Sequence, residues 1–416
     1  MKYASALLTT FTALASAGVL PGGKFEKGLA IGGDGRGGPF SGATNHELDL
    51  QNPNALGAST DTDSGNVPNM KWSFSLSKMR LFQGGWVREQ AITDLPSSHD
   101  IAAAQVHMSK GTIRQMHWHR VAEWGFVYAG RILLSAVDYD GKFQLDHLEE
   151  GDMYYFPKGL AHSLQGLEDE NEVLLCFDDG DFDRVGTTFM INDWITHTPK
   201  SVLAKNFNVS EHAFDKSYNP DRALVNSTIS KKNVTSPNGE LKGNSSYVWH
   251  YKDHPAVEAP GRGGMMQVVD SRNFPVAKTM AANTVRLKPG GLRELHWHPC
   301  AEEWIYFHKG TARATVYIGS GNSRTFDFQA GDTGVFPENS GHYVENLSQT
   351  DDLIYFEIFK ADRVTDVSLA QWLSMTPSDI AAAAINVPIE VVEQMKKEKQ
   401  LIVQGNNKPS NQTRPN

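Results

Sequence analysis

RQMHWHRVAEW, residues 114–124, returns at residues 293–304 as RELHWHPCAEEW. Each copy holds an Arg, a His-x-His pair and a following Glu, starting at Arg114 and at Arg293. The duplication reaches past this stretch. GDMYYFPKGLAHSLQ (151–165) matches GDTGVFPENSGHYVE (331–345), Asp-Arg-Val recurs at Asp183 and Asp362, and DWITHTP (193–199) answers QWLSMTP (371–377). One hydrophobic core seldom serves more than about 250 residues, so 416 residues with a half-length repeat read as two domains of one kind.

Short β-rich runs separated by turns fill both halves, from about Trp72 to Asn206 and from about Val248 to Trp372. YDGKF (139–143) carries an Asp-Gly hairpin signal, and the turn spacing suits antiparallel barrels or sandwiches. The predicted class is all-β. Helical signals come late: TPSDIAAAAIN (376–386), then VPIEVVEQMKKEKQL (387–401), with Pro388 at the second start and a basic last turn that suits the helix dipole. Gly33, Gly35 and Gly38 match GxGxxG by letter, but no strand precedes them and no amphipathic helix follows. The spacing carries no nucleotide site.

Hydrophobic residues make up 40% and charged residues 21%, ordinary globular usage, so most of the chain is expected to fold. A formal charge of -9 repels phosphate backbones, which argues against a nucleic-acid partner. Met1 to Ala17 combine an early Lys, a modest apolar run and an Ala15-Ser16-Ala17 cleavage pattern, read as a secretory signal peptide. No later run has the ~20 apolar residues of a membrane helix, so a soluble, secreted protein without a membrane partner is expected. Asn208, Asn226, Asn233, Asn244, Asn346 and Asn411 each begin a glycosylation sequon. Cys176 and Cys300, one in each half, form no disulfide framework.

The expected organisation is a signal peptide at 1–17, an N-terminal arm at 18–65, a first barrel at 66–207 and a glycosylation-rich linker at 208–246. A second barrel with C-terminal helices follows at 247–404, then a disordered tail at 405–416.

In a strand, residues two apart share a face, so His117 and His119 point together and Glu123 keeps their parity. His162 arrives from a neighbouring strand. Three imidazoles and a carboxylate make a divalent-metal site that leaves two positions free on an octahedral ion, which suits Mn(II) or Fe(II) better than four-coordinate Zn(II). The second copy supplies His296, His298, Glu303 and His342. There Glu303 breaks parity, and a bulge at Pro299 and Cys300 is expected to restore its inward direction. Trp118 and Trp297 alternate to the opposite face, where packing is their expected job.

These paired motifs resemble the two conserved motifs of the cupin superfamily. With HWH twice, FPKGLAHSLQ, FDDGDF and GHYVEN, residues 65 to 400 are similar to the bicupin oxalate decarboxylases of fungi and bacteria. The resemblance implies two cupin (double-stranded β-helix) barrels, Mn(II) in each with Fe(II) as the alternative, and conversion of oxalate to formate and carbon dioxide with dioxygen as cofactor. It also implies a homo-oligomer. It places His117, His119, Glu123 and His162 at one metal, and His296, His298, Glu303 and His342 at the other. Arg114 and Arg293 match the arginine that polarises the substrate carboxylate, although simple alternation aims Arg114 away from His117.

After carbon dioxide leaves, the remaining formyl fragment needs a proton; without it, the fragment is oxidised and peroxide results. Bacterial members supply that proton from the Glu of a Ser-Glu-Asn-Ser lid. The matching stretch here, GDFDRVGTTF (180–189), has no Glu, which leaves Asp181 or Asp183 as donor, or as solvated loop carboxylates paired with Arg184. Asp183 is the expected donor. Glu357 matches a carboxylate proposed to act beside the second metal, with Cys176 as its approximate counterpart in the first half. Two alternatives remain: an oxalate oxidase on the same scaffold, favoured by the missing lid Glu, and a non-catalytic storage or sugar-binding bicupin.

Overall fold

The computed structural model describes residues 62–216 and 223–405. The signal peptide, nearly all of the arm, the Asn411 sequon and the tail from 406 onward lie outside the described residues. No helix among the described residues is long and apolar enough to cross a membrane.

Each half folds into a barrel of two antiparallel sheets. The hairpin signal at Asp140-Gly141 lies where expected: it joins Arg131–Val137 to Phe143–Glu149, with Gly141 at φ 72° and Asp138 Oδ1 accepting from the amides of Asp140 and Lys142. Alternation along single strands builds three cores. On Asn171–Phe177, Val173, Leu175 and Phe177 line the first barrel, while Leu174 and Cys176 face outward into a core shared by the two barrels. Leu353 and Tyr355 likewise line the second barrel, and Phe356 and Ile358 join the shared core.

Polar groups fix the two barrels against each other within that apolar contact. Trp304 Nε1 donates to Gln90 Oε1 at 2.8 Å, and Gln105 Nε2 to the Tyr306 hydroxyl at 2.9 Å. Glu302 accepts from the amides of His99 (3.2 Å) and Asp100 (3.1 Å).

The boundary segments cross between the halves, which the sequence division at 66 and 247 does not anticipate. Lys71–Ser73 pairs with Asp332–Gly334 of the second barrel, and Lys71 Nζ lies 3.0 Å from Asp332 in full burial. In exchange, Val248–Trp249 pairs with Met153 and Tyr154 of the first barrel. The stretch read as a linker also contributes Leu224–Val225, which pairs with Ile113 and Arg114.

Helices differ from expectation in two ways. The first half has its own pair, Ile191–Thr196 and Lys200–Phe207. At the C-terminus, Leu369–Met375 and Ser378–Ile385 are followed by Ile389–Glu393, which stops before the basic run at Lys396 and Lys397. The expected charge–dipole pairing therefore has no helix end to act on. Asn346 also departs from its sequon reading: it is buried, and its Nδ2 donates to the carbonyls of Leu287, Lys288 and Asp351.

Candidate metal centres

The eight sequence-predicted ligands form two buried groups, His117/His119/Glu123/His162 and His296/His298/Glu303/His342, each with ligand atoms within 4.8 Å of one another. Strand order explains the convergence. His117 and His119 share the inner face of Ile113–His119, which pairs with Ala161–Gly166 so that His162 lies directly opposite His117. In the second barrel His342 lies opposite His296 in the same way.

The glutamates arrive by a route the parity argument missed. Glu123 and Glu303 do not extend the histidine strands; each opens the next strand, Glu123–Ala129 or Glu303–Lys309, in the other sheet. The extra residue in the second copy sits in the turn between strands, so no bulge at Pro299 is needed.

The bulges lie instead between the arginine and the first histidine. His117 pairs with His162 and Arg114 with Leu164, so three steps on one strand match two on the other. The same shift separates Arg293 from His296. One extra residue reverses the parity, and both arginines turn toward the histidine face. This corrects the outward direction that alternation assigns to Arg114.

Each imidazole is held by its Nδ1, leaving Nε2 toward the centre. In the first barrel the acceptors are Gln115 O (2.5 Å) for His117 and Leu160 O (2.8 Å) for His162, while His119 meets the Thr188 hydroxyl (3.0 Å). In the second they are Glu294 O, Thr365 O and Ser340 O. A carbonyl can only accept, so the bound ring keeps its Nε2 lone pair free for a cation.

Burial, reinforced by the nearby Arg114, holds His117 well below the ordinary imidazole value, and burial brings His119 down to about 4. Both are therefore neutral, the form that binds metal. Burial works to raise the Glu123 carboxyl, but the His162 and His119 rings beside it hold it well below the ordinary range.

The first site passes a direct test of fit. Nε2 of His117 is buried without a hydrogen-bond partner, and Nε2 of His119 and of His162, equally buried, meet only Glu123 Oε2, at 2.9 and 3.3 Å. Four inward donors of mixed nitrogen and oxygen type suit a six-coordinate Mn(II) or Fe(II) ion.

A family model described as Cupin matches residues 76–214 and again 253–393. Two relatives come from Arthroderma benhamiae. One, named "Probable oxalate decarboxylase", is 68% identical and covers 97% of this chain and 100% of its own length. The other, named "Oxalate decarboxylase", is 59% identical over the same shares. This chain is a bicupin of the oxalate decarboxylase family. A solved structure from Bacillus subtilis, concerned with the Mn(II) centres of its oxalate decarboxylase, superposes with a TM-score of 0.82 at 38% identity, covering 92% of this chain and 100% of that one.

The two barrels of this bicupin are not chemically equal. Arg114 is partly exposed and donates through Nη1 to Ala223 O (3.3 Å); its Nε, like that of Arg293, has no partner, but among the described residues no carboxylate pairs with Arg114. Arg293 is fully buried and donates to Asp366 Oδ2 at 2.5 Å.

Glu357 lies inside the second barrel, where Asn283 Nδ2 donates to it at 2.7 Å. Burial and the neighbouring Glu303 carboxylate push its pKa up. Its register partner is Ile305, just as Leu175 partners Gly125. The first-barrel counterpart is therefore Leu175, one place from the Cys176 expected.

In the lid stretch, Phe182 stacks on Phe177 at 3.4 Å and lies 5.3 Å from the His119 ring. Arg184 holds Asp179 (2.8 Å) and Asp181 (3.1 Å). Asp183, exposed, is not in that ion pair. Trp118 stacks on Phe189 and Trp297 packs edge-on against Trp372, both on the outer face, as alternation predicts.

Proposed function

We propose that this protein is a manganese-dependent oxalate decarboxylase that forms formate and carbon dioxide in its first barrel with dioxygen as cofactor. The observation that carries this reading is Arg114: a guanidinium with no carboxylate partner among the described residues, beside a complete set of metal ligands. Oxalate is a small dianion, and taking it out of water requires compensating positive charge with fixed hydrogen bonds.

His117, His119, Glu123 and His162 would hold a divalent manganese ion, which would supply Lewis acidity and a reversible one-electron change whose electron is returned before formate is complete. Arg114 holds one substrate carboxylate through its free donors. The Phe177–Phe182 stack covers one side of the His119 ring and keeps water from it. The Asp183 carboxyl delivers the proton to the formyl carbon once carbon dioxide has left. Its support is its place next to Phe182 and its freedom from Arg184. Glu357 serves the second metal, where Arg293 is already paired.

The test is product analysis from manganese-loaded protein supplied with oxalate in air. One formate and one carbon dioxide per oxalate are expected. Near-stoichiometric peroxide with little formate would instead establish the oxidase reading, which the lid favours by lacking a Glu. Oxalate consumption that stops when dioxygen is removed tests the cofactor.

We further propose a secreted, N-glycosylated homo-oligomer. Support comes from the leader composition and from the exposed sequons at Asn208, Asn226, Asn233 and Asn244. Recovery from the medium, a mass loss on deglycosylation and light scattering test the three parts.

A further inference from the structure

The two barrels keep the same crossing strand above their arginines but differ in what they set against the guanidinium. Leu224–Val225 pairs with Arg114 and Ile113, as Ile402–Val403 pairs with Leu292 and Arg293. Arg114 Nη1 donates to Ala223 O at 3.3 Å, and Arg293 Nη1 to Leu401 O at 3.4 Å. A second crossing strand is also shared: Met190 lies opposite His117, and Ser368 opposite His296. Counting back along it, Thr188 of the first barrel occupies the place of Asp366 in the second.

Thr188 offers a neutral hydroxyl, whose oxygen lies 3.0 Å from His119 Nδ1. Asp366 offers a carboxylate, and it is held on both sides, by Arg293 at 2.5 Å and by Lys399. The C-terminal segment around it is tied down as well. Leu401 N donates to Glu294 Oε1 (3.1 Å) and Ser368 Oγ to Glu294 Oε2 (2.9 Å). Behind Arg293 the barrel interior carries Glu357 and Asn283, whose Oε1 and Oδ1 are buried without donors. At the corresponding places the first barrel has Leu175 and Ala104.

We propose that Asp366 is a built-in anion that stands in the substrate's place on Arg293 and so restricts dicarboxylate binding to the first barrel. This rests on the oxalate reading above and assigns the choice between two otherwise complete metal sites to one residue. The physical reason is charge pairing. An entering carboxylate would have to displace Asp366 from Arg293, leaving a carboxylate that is only 10% exposed without its guanidinium, and would then meet Glu357. At Arg114 no such displacement is needed. Discrimination comes from the repulsive element in the second barrel rather than from better contacts in the first.

The experiment is spin-quantified manganese EPR on the full chain loaded with two manganese ions, frozen with and without oxalate. One manganese per chain is expected to change its spectrum in the unsubstituted protein. Both are expected to change in Asp366→Thr, which installs the first barrel's residue, and in Asp366→Asn, which keeps the shape and removes the charge. Two responding ions in the unsubstituted protein overturn the proposal alone, and that arm requires no substitution to be tolerated. A second ion that stays silent in either variant that retains two manganese per chain also overturns it. If neither ion responds in the unsubstituted protein, the oxalate reading falls, and this proposal with it.

Discussion

Tyr154 donates its hydroxyl hydrogen to Glu123 Oε1 at 2.8 Å, inside the first barrel and at full burial. The tyrosine ring lies where a side chain on Gly125 would be, so the glycine opposite is what lets the ring reach the ligand. In the second barrel the same two places hold Ile305 and Gly334, and Glu303 Oε1 has no partner. Partners of metal ligands typically tune affinity by about 10–100-fold. Tyr154→Phe is expected to weaken manganese binding at the first site by about that factor and leave the second unchanged, measured as metal retained per chain against a competing chelator.

Arg114→Lys keeps the charge but loses the planar fork that grips a carboxylate. Steady-state assays should show kcat/KM for oxalate falling about 10²–10³-fold, with manganese content intact. Arg293→Lys should leave turnover within a few-fold of the unsubstituted protein and act on stability instead. Equal losses from both substitutions would contradict the assignment of turnover to the first barrel.

Lys71 precedes every strand of the first barrel, yet it is buried against Asp332 of the second. Breaking a buried pair typically costs about 3–5 kcal/mol. Lys71→Met should therefore lower the unfolding midpoint of the second barrel, read from hydrogen exchange on residues 332–336, despite lying far away in the chain.

His250 places Nε2 3.4 Å from Asp146 and Nδ1 2.9 Å from Asp152. Asp146, then Asp152, push its pKa from the ordinary 6.5 up to about 10. A raised folded value means that the charged ring stabilises the fold fully below pH 6.5 and that this contribution disappears as pH rises through about 10. His250→Gln should accordingly lose about 1 kcal/mol at pH 6, after allowance for solvent screening, and close to none at pH 10.5. Denaturant titrations at the two pH values check the sign.

The Asn346 amide nitrogen makes three hydrogen bonds to backbone carbonyls. Peptide mapping of protein from a glycosylating host should find this sequon unmodified. Asn233 and Asn244, exposed, are expected to carry glycan in the same digest.

The duplication, the barrels and all eight ligands were legible in the sequence because they depend on short-range patterns: a two-residue period that puts each histidine pair on one strand face, and a repeated motif that marks the glutamates and the distant histidines. Arg114 was not. Its inward direction comes from a bulge defined by the pairing of two strands, and a single strand read alone gives the opposite face. The same limitation moved the counterpart of Glu357 from Cys176 to Leu175, since only cross-strand register fixes that match. The helices at 191–207 carry little sequence signal because they are short, and the exchange of Lys71–Ser73 for Val248–Trp249 carries none because each strand finds its partner in the other half of the chain.

Residue types and spacing alone determined that this protein has two sets of three imidazoles and one carboxylate, since those side chains are donors wherever the barrel places them. Which arginine is available to a substrate was decided only by tertiary structure. Arg114 and Arg293 are identical in the repeat, and a charge is free or neutralised according to what packs against it. Thr188 and Asp366, each reached by a separate crossing strand, make that difference.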